Sequence, residues 1–212
     1  MKKARVSEML LAAAGIVLVG TGVAFNAAAA LGNDPVGIVY DGIRNVASLS
    51  PQQLGMASNL VNVILLAGIF FTGRHYINIG TFIYIIPYGL FVDLGGKLYQ
   101  ILFPAPTLTA QIAGAAAGCL LLYTGVAMYI TADIGLDPFT GVVMVIRDRV
   151  RSKYRVVKVL FDLGCIILGT LLGGKLGVIT VITALTAGPV IQFLSDLMKQ
   201  FRTGRKEEKT GR

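Results

Sequence analysis

Two Asp-Pro dipeptides, Asp34-Pro35 and Asp137-Pro138, stand 103 residues apart, each with a glycine two positions before the aspartate, Gly32 and Gly135. Aspartate is a preferred N-cap, and proline suits the first helical position, where its missing N–H costs nothing. Glycine permits the turn that leads into such a cap. Each dipeptide is therefore expected to open a short helix, Pro35 to Val46 and Pro138 to Val150. On the structural reading these are starts of interfacial or re-entrant helices. On the functional reading both helices dip inward and aim their positive N-terminal ends at a solute or ion.

Asp162 is the next candidate. It lies inside an apolar stretch, and carboxylates so placed are functional candidates by default. Lys158 stands four residues before it, so an ordinary i,i+4 pair explains it equally well. Asn59 occupies the position 103 residues earlier, which would make a symmetric polar site. Asp34, Asp137, Asn59 and Asp162 are thus the candidate substrate-binding residues. Asn26 and Asn62 are expected to bond between helices, and Asp133 to sit at the membrane interface. Thr81, Thr180, Thr183 and Thr186 are expected to bond to their own helices. Tyr76, Tyr84, Tyr88 and Tyr99 read as interface-anchoring aromatics, and His75 as a solvated loop residue. With one histidine and two scattered cysteines, Cys119 and Cys165, there is no metal cluster and no catalytic group. Neither enzymatic activity nor a cofactor is expected.

The elements that must position these residues are membrane helices. Apolar residues make up 55% of the chain and charged residues 14%, and mean hydropathy is +0.73. A soluble domain carries about a quarter charged residues. The charges also fall in blocks, leaving Met9–Asn33, Asn45–Gly73, His75–Val92, Leu98–Ala132 and Leu176–Ser195 free of them. A spanning helix needs about 20 apolar residues.

The chain also repeats itself. Residues 12–35 match residues 115–138 at 13 of 24 positions without a gap, sharing Thr-Gly-Val-Ala and the Gly-x-Asp-Pro ending. A more weakly matched region follows in each half; there Ile77, Thr81, Pro87 and Phe91 align with Ile179, Thr183, Pro189 and Phe193. The start of the chain has the look of a signal peptide, but its recurrence in mid-chain argues for retention in the mature fold. Spans are expected at 9–31, 54–73, 76–95, 108–132, 156–173 and 176–198, about six in all. The fold class expected is all-α, two inverted three-helix repeats (9–95 and 108–198), each with a short extra helix after its first span. Residues 1–198 form one transmembrane domain and 199–212 a basic cytoplasmic tail.

With both termini inside, 16 lysines and arginines fall on cytoplasmic segments and only Arg44, Lys97 and Lys175 outside. That asymmetry fixes orientation in a bacterial inner membrane and explains the net charge of +8 without nucleic acid. The segment Thr140–Val150, apolar then basic, suits a helix in the inner interface. Expected partners are the lipid bilayer, anionic lipid at the basic inner segments, a small solute or ion, and a second copy of the chain.

The Ala-x-x-x-Gly-Asn-Asp-Pro (28–35) and Ala-x-x-Gly-Leu-Asp-Pro-Phe (132–139) turns resemble the YczE/YyaS/YitT group of bacterial membrane proteins. So does Arg74-x-Tyr-Ile-Asn-Ile-Gly-Thr-Phe82 leading to Gly89-x-x-x-Asp93. The resemblance covers residues 10–198 and implies a multi-spanning transporter or regulator. The leading function is a small-solute transporter or permease; a regulatory or scaffold protein is the alternative. A polar cavity lined by Asn59, Asp162 or the Asp-Pro turns would favour transport, and a dry interior the scaffold.

Overall fold

Local capping chemistry sets the short helices as expected. The computed structural model describes residues 6–210, with side chains for 6–154 and 156–201. The described residues form eight α-helices: α1 (Val6–Ala29), α2 (Pro35–Val46), α3 (Leu54–Thr72), α4 (Ile79–Leu102), α5 (Leu108–Ala132), α6 (Pro138–Val150), α7 (Tyr154–Leu171) and α8 (Val178–Thr210). Asp34 and Asp137 are the N-caps of α2 and α6. The Asp34 Oδ2 accepts from the N–H groups of Val36 and Gly37 at 3.2 Å, and the Asp137 Oδ1 from Thr140 N–H at 3.0 Å. Gly32 takes the left-handed φ of 104° that the turn before the cap requires.

Five helices are long and apolar enough to cross a membrane: α1, α3 with its preceding turn from Pro51, α4, α5, and α8 as far as Phe201. The protein is a polytopic membrane protein. α7 has 18 residues, about 27 Å of helix, but Arg155, Lys158 and Asp162 keep it out of that set. The third span runs on to Leu102. The side chains facing outward are apolar: Phe71, Ile86, Ile101, Leu171 and Leu185 are each more than 70% exposed. In water such a surface would be untenable, and in lipid it is the expected finish. The N-terminal cations Lys2, Lys3 and Arg5 lie outside the described residues.

The centre of the bundle is the crossing of α1 and α5, which run antiparallel. A Cβ on Gly15 would lie 2.7 Å from the Gly125 carbonyl oxygen, and one on Gly22 2.7 Å from that of Gly118. Two glycines on each helix, seven residues apart, thus let the backbones touch. Around this seam α1 packs on α4 and α5 on α8, while α2 packs on α7 and α6 on α3. Helix α6 packs its apolar face against the protein. Phe139 and Val143 are buried against its neighbours, leaving only its basic end exposed.

Backbone irregularities recur at one interval. The non-glycine residues in left-handed conformation include Ala30 and Asp133, and Ser48 and Arg151, each pair 103 residues apart.

Candidate functional site

The two Asp-Pro helix starts open onto a shared buried cluster. Tyr40 of α2 and Tyr88 of α4 are 0% and 1% exposed, and each lies within electrostatic range of both Asp34 and Asp137. Six rings from five helices form a continuous chain. Phe161 meets Phe139 (centroids 6.1 Å), Phe139 meets Tyr40 (5.6 Å), and Tyr40 meets Tyr88 (5.9 Å). Tyr88 stacks on Tyr84 at 4.8 Å, and Tyr84 meets Tyr129 edge-on at 5.5 Å. Tyr84, Tyr88 and Tyr99 are buried, not anchored at the membrane interface as their positions suggested.

Lys158 of α7 stands among three carboxylates. It pairs with Asp162 at 2.5 Å, feels the charge of Asp137, and acts in turn on Asp34. Asp34, Asp137 and Asp162 are thereby brought into one neighbourhood. Both native thiols border it: Cys165 lies within range of Asp162, Lys158 and Asp34, and Cys119 within range of Asp34. Asn59 is elsewhere in role. Pro87 has no N–H and interrupts α4, and two residues later the Gly89 N–H donates to Asn59 Oδ1 at 3.0 Å. Asn59 braces α3 against α4.

Four polar atoms of the described residues are buried without a hydrogen-bond partner: Asp34 Oδ1, Asn62 Nδ2, Tyr129 OH and Asn26 Nδ2. Each such atom costs about 1–3 kcal/mol, so each needs a reason. Asn62, whose Oδ1 accepts from Tyr40 OH at 3.3 Å, belongs to the cluster, as do Tyr129 and Asp34. Asn26 lies on α1 facing α5, and its Oδ1 accepts a weak bond from the Cys119 thiol at 3.8 Å. Sequence reasoning missed Tyr40 and Tyr129; Asn62 bonds between helices as expected. The signal available was a tyrosine on the same short helix as the cap, six residues after Asp34.

The ends of the short helices are tied down unequally. At α2, Asp41 accepts from Arg44 Nη2 (2.8 Å) and from the Lys175 backbone N–H (3.0 Å), and Asn45 donates to the Gly173 carbonyl. At α6, the exposed Asp148 accepts from Tyr76 OH and Arg147. The Tyr76 hydroxyl and then Arg147 hold the Asp148 carboxyl below its ordinary range, so this contact persists down to acid pH and fails only when that carboxyl protonates. Thr183 and Thr186 bond to their own helices, whereas Thr81 donates to the Leu136 carbonyl and Thr180 accepts from Gly177 N–H.

A cavity of about 250 Å³ lies at the α2 C-terminal end, lined by Asp41, Arg44, Asp93, Lys175 and small residues of α1. None of Asp34, Asp137, Asn59 or Asp162 lines it.

The profile of a family of unknown function, DUF6198, matches residues 6–196, nearly the whole of this helical bundle. The chain belongs to that family. It is 28% identical over 191 residues to an uncharacterized protein of Haemophilus influenzae (strain ATCC 51907 / DSM 11121 / KW20 / Rd), covering 90% of this chain and 84% of the relative. It is also 23% identical over 141 residues to the uncharacterized membrane protein YczE of Bacillus subtilis (strain 168), covering 66% of this chain and 64% of that one. The YczE-type resemblance seen in the turns is thus supported over 66% of the DUF6198 chain. No solved structure matches.

Proposed function

We propose that this DUF6198 protein is a small-solute permease of the bacterial inner membrane rather than an enzyme, and that the Asp34–Asp137–Tyr88 cluster is its interior site. The observation that carries this reading is the convergence of two capped helix starts, one from each half, on buried tyrosines beside unpartnered polar atoms. Helix ends meeting in mid-bundle are the device by which transporters hold solutes. Unpartnered donors and acceptors supply what a polar solute or coupling ion would satisfy.

The same reading takes the two halves as an inverted repeat. The antiparallel glycine seam of α1 and α5 is what a two-fold axis in the membrane plane would produce. The packing of α1 on α4 mirrors α5 on α8, and α2 on α7 mirrors α6 on α3. At the starts of α4 and α8, Gly80 N–H donates to the Ile134 carbonyl and Ile179 N–H to that of Leu31. Under this symmetry α3 and α7 correspond at an interval of 100, which pairs Asp162 with Asn62, and α4 and α8 at 99.

One observation favours the scaffold alternative: the cavity is lined by none of the four sequence candidates. Uptake decides between them. Metabolite profiling of a deletion strain should show a small solute displaced between cell and medium, and proteoliposomes bearing the purified chain should move it. Unchanged profiles and inert proteoliposomes would leave the scaffold reading. The orientation has its own test. Alkaline phosphatase fused after Arg212 is expected to be inactive in cells, and strong activity there would reverse the topology.

A further inference from the structure

Building on the permease reading, we propose that the cavity at the C-terminal end of α2 is the docking site for the solute, and that it selects a small zwitterion carrying one ammonium and one carboxylate. Its volume of about 250 Å³ would hold about eight waters, room for a small amino acid together with several waters. Ala24, Ala27 and Ala28 of α1 leave the space by their smallness.

The charges around it divide into spent and unspent. Arg44 binds Asp41 through Nε (3.0 Å) and Nη2 (2.8 Å), and the second oxygen of Asp41 accepts from the Lys175 backbone N–H. That pair is closed. Asp93 of α4 uses one carboxylate oxygen on the Gly55 N–H at 2.7 Å, and its other oxygen has no hydrogen-bond partner among the described residues. Lys97, four positions along the same helix, is the cation within electrostatic range of Asp93. Lys175, in the loop between α7 and α8, contributes its backbone to Asp41 and keeps its ammonium free of any carboxylate among the described residues. The cavity therefore has the Asp93 carboxylate, with Lys97 in range of it, on one wall and the exposed Lys175 on another, with the Gln52 and Gln100 amides beside them. A ligand with a single charge would pair with only one of these groups and forgo the second charge-assisted contact. A zwitterion satisfies both.

The site also leads inward. Val92, in the cavity wall, is one turn of α4 from Tyr88, and Asp41 is two turns of α2 from Asp34, about 10 Å.

The test is titration calorimetry of the full chain in nanodiscs, at mildly acidic pH. The probes are glycine, L-alanine and L-serine, each beside its amide, which keeps only the ammonium, and its N-acetyl form, which keeps only the carboxylate. A zwitterion should bind, with both masked forms roughly tenfold weaker or worse. Asp93→Asn still offers an oxygen to the Gly55 N–H, and Lys175→Met keeps the backbone bond to Asp41, so both should fold and both should lose the zwitterion. Equal binding of a masked form, binding of none, or undiminished binding in Asp93→Asn would overturn the proposal. Uptake of the same amino acids in proteoliposomes separates the two readings. Binding without uptake would keep the docking site and remove the permease. Uptake unchanged in both variants would keep the permease and remove the docking site.

Discussion

Gly22→Leu is expected to abolish accumulation of folded protein, whereas Gly68→Ala should leave it unchanged. A Cβ at Gly22 would sit 2.6 Å from Leu122 N and 2.7 Å from the Gly118 carbonyl oxygen. Both are backbone atoms of α5, so no flexible side chain can yield. Overpacking an ordinary core costs about 1–3 kcal/mol because neighbours rearrange; here the two central helices must separate along their whole seam. In lipid no hydrophobic force between helices compensates, since association there rests on close contact. Gly68 has nothing within 4 Å of an added Cβ, and alanine is the better helix former. Size-exclusion profiles of fluorescent fusions would measure both. A monodisperse Gly22→Leu protein at parental yield would show that the α1–α5 contact is not central.

Asp34→Asn is expected to fold normally and to lose transport, with uptake falling more than about tenfold, while Asp34→Ala also loses stability. The Asp34 Oδ2 caps α2 through Val36 and Gly37, and asparagine caps about as well as aspartate. Alanine forfeits about 1 kcal/mol. The other oxygen, Oδ1, is buried without a partner near Lys158 and Asp162. Only that oxygen and the charge change in the asparagine variant. Comparing thermal unfolding with uptake for both variants separates cap from charge; a stable Asp34→Asn protein with parental uptake would reduce Asp34 to a helix cap.

What was legible in the sequence was local or repeated. Asp-Pro starts a helix through contacts within four residues, and α2 and α6 begin and end at the residues expected. The DUF6198 fold hides its tertiary register better. The α2–α3 connection holds a 3₁₀ turn, Pro51–Gln53, that the α6–α7 connection lacks, so the interval between corresponding residues drops from 103 to 100. Asn59 consequently looked like the counterpart of Asp162, whereas the proposed symmetry pairs Asp162 with Asn62. The burial of Tyr84 and Tyr88 escaped notice for another reason. A helix apolar on every side has no periodic stripe to separate its lipid face from its core face. The cavity near Asp93 and Lys175 depends on four helices, a 3₁₀ turn and a loop meeting, which no spacing records.

If the Asp34 cluster is the interior site of a permease, alternating access must open it to water from each face of the membrane in turn. Cys165, 7% exposed and within range of Asp34, Asp162 and Lys158, is a native probe of it. With Cys119→Ser removing the second thiol, a membrane-impermeant methanethiosulfonate is applied to either side of sealed, uniformly oriented proteoliposomes. Slow modification from both sides, in one functional population, is the expected result. Modification from neither side until the protein is unfolded would contradict it.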